Sequence, residues 1–86
     1  MKILDGRNML TRQQAHEELQ RVLALPDYYG RNLDALWDCV STAEDEVRLV
    51  NAAPMKRELG LYGEKLIALL TEAAEKNALF GFSWED

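Results

Sequence analysis

Short runs of apolar residues alternate with longer segments of helical periodicity along this chain. The runs at residues 2–4, 47–50 and 78–84 have the composition of β-strands, and the last of them has the weaker pattern of an edge strand. Helical segments separate consecutive runs, and helical crossovers favour parallel pairing of the strands that they join. The pattern therefore predicts an α/β fold with a small three-stranded parallel sheet packed with about four helices. A length of 86 residues predicts a single domain over residues 1–86.

Residues that commonly begin or end helices predict the boundaries of these segments. Thr11 can cap the first helix through its hydroxyl, and Asn32 can cap the second through its amide oxygen. Pro54 and Gly63 are expected to begin the third and fourth helices, and Asn77 is expected to end the fourth in a left-handed conformation.

The negative charge of the chain is concentrated in one segment. The formal net charge is −5, and residues 27–46 hold six acids against a single base, Arg31, whereas the remaining acids and bases balance. An acidic chain is unsuited to nucleic acid, whose affinity for proteins depends largely on Lys and Arg. A one-sided field can attract a basic partner, although a merely solvated acidic face explains the same distribution.

The sequence also suggests where the protein acts. It contains no uninterrupted apolar run of about 18 residues and no stretch typical of a secretory signal, so we expect a soluble, cytoplasmic protein with no membrane partner. The single cysteine, Cys39, cannot form an internal disulfide, which fits a reducing compartment.

Catalysis and metal binding find little support in the sequence. Cys39, His16 and Asp38 could be assembled into a catalytic group, but Asp38 and Cys39 are consecutive helical residues that point about 100° apart. One histidine and one cysteine provide no ligand pair at a zinc spacing, and no glycine-rich phosphate motif is present. We therefore expect neither an enzyme nor a cofactor or metal site.

Acids and aromatic residues of the second helix form a stronger candidate site. Asp34 and Asp38 are four residues apart, so like charges share one helical face at a cost of a few tenths of a kcal/mol. The helix macrodipole favours an anion at Asp34 but not at Asp38. Tyr28 and Trp37 lie nearby, and Gly30 provides a flexible point in the loop before the helix. The alternative is that an aromatic residue of this group, Trp37 or Tyr29, packs into the core.

The segment LPDYYGRNLDALWDC, residues 25–39, closely resembles the barstar family of intracellular inhibitors of microbial ribonucleases. The resemblance runs from residue 2 to about residue 52 and, after a short deletion, resumes over residues 64–76. It implies a parallel three-stranded sheet surrounded by helices. It also implies inhibition by insertion of the second helix and its preceding loop into a ribonuclease active site.

The same resemblance implies roles for individual residues. Asp38 would be the central mimic of a substrate phosphate, and the partner would be a basic protein, a ribonuclease, bound one-to-one. The implied contacts are Tyr28, the loop residues Gly30 and Asn32, the helix acids Asp34 and Asp38, the interface-edge Trp37, and Glu72 on the fourth helix.

Departures from the family pattern leave the target open. Arg31 places a positive charge in the binding loop, where the best-known member has an acid. Ala43 and Glu44 replace an apolar pair that contacts the ribonuclease in that member. The alternative function is therefore a binding module of the same fold that regulates another basic, non-ribonuclease protein.

Overall fold

Three parallel strands form the sheet in the computed structural model, which describes residues 1–86. The strands are β1 (Lys2–Asp5), β2 (Glu46–Val50) and β3 (Gly81–Trp84), and β2 lies in the centre. Both neighbours pair with β2 in parallel, so β3 is an edge strand as expected. The predicted α/β class and the three-stranded parallel sheet are confirmed.

Four α-helices pack with this sheet, and the first two begin where their capping residues predict. The Thr11 hydroxyl accepts a hydrogen bond from the Gln14 N–H at 3.1 Å. The Asn32 amide oxygen accepts one from the Ala35 N–H at 2.7 Å. Each bond satisfies an N–H that has no partner within the first turn of its helix. The helices are α1 (Arg12–Leu23), α2 (Leu33–Val40), α3 (Ala52–Leu59) and α4 (Leu61–Lys76), and a short 3₁₀ helix (Gly6–Asn8) follows β1.

The predicted starts of the third and fourth helices were wrong by two residues. Helix α3 begins at Ala52, so Pro54 is its third residue, where a missing N–H is still tolerated because first-turn N–H groups lack helical partners. Helix α4 begins at Leu61, directly after Gly60 reverses the chain with a φ of 56°. Gly63 serves packing instead, because a Cβ there would lie 3.4 Å from the Lys56 Cα.

Asn77 ends α4, but the predicted left-handed conformation was wrong. Its backbone is extended, with φ −118° and ψ 104°. Its side-chain amide donates to the carbonyl oxygens of Val40 at 3.2 Å and Ala43 at 2.9 Å. Asn77 therefore holds the carboxyl end of α2 through tertiary hydrogen bonds, which a local reading of the sequence does not show.

The hydrophobic core lies between the sheet and the helices. Helix α1 packs on β1, α4 packs on β3, and α2 packs on α4. Leu36 and Val40 of α2 are completely buried. Burial of one such side chain stabilises the fold by about 1.5–3 kcal/mol, so α2 is a firmly anchored support for its exposed residues. None of the helices combines the length and the apolarity needed to cross a bilayer.

Candidate partner-binding surface

The exposed side of α2 carries two carboxylates that have no partner within the chain. Asp34 and Asp38 are both exposed, and neither side chain forms a hydrogen bond or an ion pair. No ion pair within the chain therefore relieves the repulsion between like charges one turn apart. Because the buried Leu36 and Val40 anchor the helix, the backbone that carries the two carboxylates is held in place, and the carboxylates remain available to a ligand.

The loop between α1 and α2 presents one tyrosine outward and one inward. Tyr28 is 89% exposed, the highest value among the exposed large hydrophobic side chains, whereas Tyr29 is buried. A turn positions them, because the Tyr29 N–H donates to the Pro26 carbonyl oxygen at 2.9 Å. The Gln20 side-chain amide donates to the same oxygen at 3.0 Å, which ties the turn to α1. The expectation that one aromatic residue of this group packs inward is confirmed at Tyr29, while Trp37 is half-buried.

The residues with a left-handed backbone in this loop are Ala24, directly after α1, and Arg31, and not Gly30. Arg31 has a φ of 54°, in the left-handed region that non-glycine residues rarely occupy. Gly30 lies outside that region and is needed for close approach, because a Cβ there would be 3.3 Å from the Ala35 Cβ. A Cβ at position 30 would therefore require the neighbouring side chains of Asn32 and Ala35 to shift by a few tenths of an ångström.

Three of the predicted site residues meet in one depression between the loop and α2. Tyr28, Gly30 and Asp38 all line this space, which has a volume of about 190 Å³. Its other lining residues are Pro26, Tyr29, Ala35 and Cys39. The structure thus brings the Asp38 carboxylate, an exposed aromatic ring and an open stretch of backbone to the same place.

Three further predicted residues line a groove between α2 and α4. Asp34, Trp37 and Glu72 border this space of about 350 Å³, together with Leu33, Lys65, Ala68 and Leu69. The charge of Glu72 is partly compensated, since Lys76 lies 3.1 Å from its carboxylate. Sequence reasoning missed Lys65, although a residue seven positions before Glu72 occupies the same face of a helix.

Asn32, the remaining predicted site residue, uses its side chain locally. Its oxygen caps α2, and its amide nitrogen donates to the Gly30 carbonyl oxygen at 3.3 Å. Asn32 therefore sets the angle between the loop and α2. It also borders a third cavity, which extends toward Arg12 and Arg31.

A buried histidine, His16, ties the loop to two helices. Its Nδ1 lies 2.6 Å from the Tyr29 hydroxyl and its Nε2 lies 2.6 Å from the Tyr62 hydroxyl. Burial, and secondarily the charge of Arg31, lowers the pKa of His16. Burial likewise raises the pKa of Tyr29, so both groups are neutral at pH 7. The connection from Tyr29 in the loop through His16 on α1 to Tyr62 on α4 holds the loop in one position.

The same geometry offers no catalytic pair. Both ring nitrogens of His16 are occupied by tyrosine hydroxyls, and His16 is only 1% exposed. Burial and the nearby Asp38 raise the pKa of Cys39, which disfavours the reactive thiolate. No group of three or more His, Cys, Asp and Glu side chains is arranged to hold a metal ion.

Comparison with known proteins identifies the family. The family model described as "Barstar (barnase inhibitor)" matches residues 1–84. The chain belongs to the barstar family. A curated relative from Bacillus subtilis (strain 168), named "Putative ribonuclease inhibitor YrdF", is 39% identical over 77 residues, which cover 86% of this chain and 85% of that protein. Barstar-family proteins are inhibitors, so the chain is not an enzyme, and a ribonuclease-inhibitor role is supported at the level of the family.

Proposed function

We propose that this barstar-family chain inhibits a small microbial ribonuclease of the secreted type by covering its active site with α2 and the preceding loop. The observation that carries the proposal is the pair of unpartnered carboxylates on the anchored helix α2, beside the exposed Tyr28. A surface of this kind is complementary to a basic, phosphate-binding site. The family relationship supports the identity of the partner class.

Asp38 is the proposed mimic of the substrate phosphate. A ribonuclease binds phosphate with cationic side chains, and a carboxylate held in the same place can pair with them and exclude substrate. Asp38 lies in the loop depression, where Tyr28 can cover the contact and Gly30 lets the partner approach the backbone. Exclusion of water by these neighbours strengthens the attraction between opposite charges.

A second contact area is proposed at the groove between α2 and α4. Asp34, Trp37 and Glu72 would meet the partner there, and Asn32 would contribute mainly by holding the loop against α2. A standard interface removes about 800 Å² from each partner. This is about one sixth of the 4927 Å² accessible surface of the chain, which fits one ribonuclease bound at this face. We place the complex in the cytoplasm, where a free Cys39 is chemically stable.

A stoichiometric titration tests the proposal. A panel of small secreted microbial ribonucleases is assayed with increasing amounts of the protein, at an enzyme concentration high enough to show the equivalence point. We expect the activity of at least one enzyme to fall to zero near one equivalent. Unchanged activity across the whole panel would remove the ribonuclease claim.

The second candidate is a barstar-fold module that regulates another basic, non-ribonuclease protein. Arg31 favours it, because this cation stands in the loop beside the proposed contact residues and would repel part of a uniformly basic enzyme. Glu44, in the segment after α2, adds to the altered charge pattern. Recovery of a basic partner in stoichiometric amount and without nuclease activity would decide in favour of this module, provided that the Asp38→Asn variant no longer binds that partner.

A further inference from the structure

Two arginines face one cavity at the border of the acidic surface. This cavity, which we call the arginine cavity, has a volume of about 450 Å³. Its lining residues are Arg12, Arg31, Asn32, Leu33, Asp34 and Tyr62. Two guanidinium groups face a single carboxylate there, so the cavity is cationic although the segment around it is acidic.

Arg31 is held in place and has unused capacity to bind an anion. Its Nε and Nη2 donate to the Gln20 side-chain oxygen at 3.3 and 3.1 Å. The one carboxylate within 4.0 Å of its guanidinium is that of Glu17, and at 4.0 Å it is too far away for a hydrogen bond. About half of the Arg31 side chain is exposed. A partner carboxylate would therefore meet a pre-positioned cation with free N–H groups.

Arg12 faces the cavity from the first turn of α1 and forms no ion pair. Its guanidinium carbon lies 4.3 Å from the centroid of the Tyr62 ring. The Tyr62 ring is itself held in place, because its hydroxyl lies 2.6 Å from the His16 Nε2. A cation over an aromatic face keeps its N–H edges free, so Arg12 can bind an anion while it stays on the ring.

We infer that the arginine cavity receives a carboxylate side chain of the partner protein. The target then has an acidic residue beside its basic active site, and Arg31 selects such targets over uniformly basic ones. Guanidinium groups match carboxylates through paired hydrogen bonds, which gives the contact geometric specificity. The location of the partner rests on the proposed function, whereas the preference of the cavity for carboxylates does not.

The first experiment needs no partner. Sodium citrate is titrated into the ¹⁵N-labelled protein, and the arginine Nε signals are followed by NMR against a sodium chloride series of equal ionic strength. We expect the Nε signals of Arg12 and Arg31 to shift saturably with citrate concentration. In the Arg12→Gln variant, the shift at Arg31 should be weaker. Arg57, exposed on α3, is the internal control. Shifts at Arg31 no larger than those at Arg57 would overturn the inference.

The second experiment reverses charge against an inhibited ribonuclease. Arg31→Glu and Arg12→Glu are compared with Arg57→Glu, which makes the same change in net charge away from the cavity. We expect the two cavity variants to bind on the order of tenfold more weakly than the control. If the two cavity variants bound as tightly as Arg57→Glu or more tightly, the partner surface opposite Arg31 would be basic or neutral, which would contradict the inference. If no ribonuclease is inhibited, the proposed function fails and the citrate titration still decides the cavity.

Discussion

Replacement of His16 by leucine should destabilise the fold through the tyrosine hydroxyls that it leaves behind. His16 is 1% exposed, and leucine has a similar volume, so the main loss is of hydrogen bonds and not of packing. The Tyr29 hydroxyl would lose its partner inside the core, and an unsatisfied buried hydroxyl costs about 1–3 kcal/mol. The Tyr62 hydroxyl is half-buried and can recover a bond to water. We therefore expect a loss of about 2 kcal/mol in the free energy of unfolding.

Urea unfolding followed by circular dichroism measures this loss, and a double-mutant cycle tests its cause. Tyr29→Phe removes the hydroxyl that His16→Leu would orphan, so the double variant should lose clearly less than the sum of the two single losses. The corresponding fall in melting temperature is about 4–8 °C for each kcal/mol in a domain of this size. Additive losses, or a loss below about 0.5 kcal/mol for His16→Leu, would refute a hydrogen-bonded link between α1 and the loop.

Three further predictions concern pH, packing and salt. Because burial lowers the pKa of His16, the unfolded state binds the proton more readily than the folded state does. The free energy of unfolding should therefore fall as the pH drops below about 6.5. His16→Leu should flatten this part of a plot of the urea midpoint against pH. Gly6→Ala would place a Cβ 2.1 Å from the Asn51 carbonyl oxygen and should lower the urea midpoint far more than Gly81→Ala, the matched change at a site where a Cβ meets only the Glu46 side chain, at 3.3 Å. Added salt should slow association with the inhibited ribonuclease more than it speeds dissociation, and a salt-independent association rate in stopped-flow measurements would count against electrostatic steering.

Features that depend on neighbouring residues could be predicted from the sequence. Thr11 and Asn32 cap helices through bonds to N–H groups three residues away, so a short motif determines both starts. The parallel sheet could be predicted for a similar reason. The period of the apolar pattern is a local property that distinguishes strands from helices, and their alternation along the chain indicates parallel pairing. The exposure of Asp34 and Asp38 followed from their position opposite the apolar stripe of α2.

Features that depend on distant residues could not be predicted. The bond from His16 to Tyr62 joins residues 46 positions apart, and no periodicity signals it. Asn77 is extended because its amide meets carbonyl groups at the end of α2, and this tertiary gain replaces the left-handed stop that asparagine favours locally. The arginine cavity likewise exists only because the fold brings α1, α4 and the loop together.

The most direct test of the proposed inhibition is the effect of Asp38→Asn on the inhibition constant for the ribonuclease that the native chain inhibits. Asparagine keeps the shape of the side chain and removes its charge, and Glu58→Gln makes the same change on α3, away from the proposed surface. We predict that Asp38→Asn weakens inhibition on the order of a hundredfold, because it leaves the enzyme's phosphate-binding cations buried without a partner. Asp34→Asn should weaken it less, and Glu58→Gln should leave it unchanged. Equal, small losses for all three variants would contradict the role of Asp38 as the phosphate mimic.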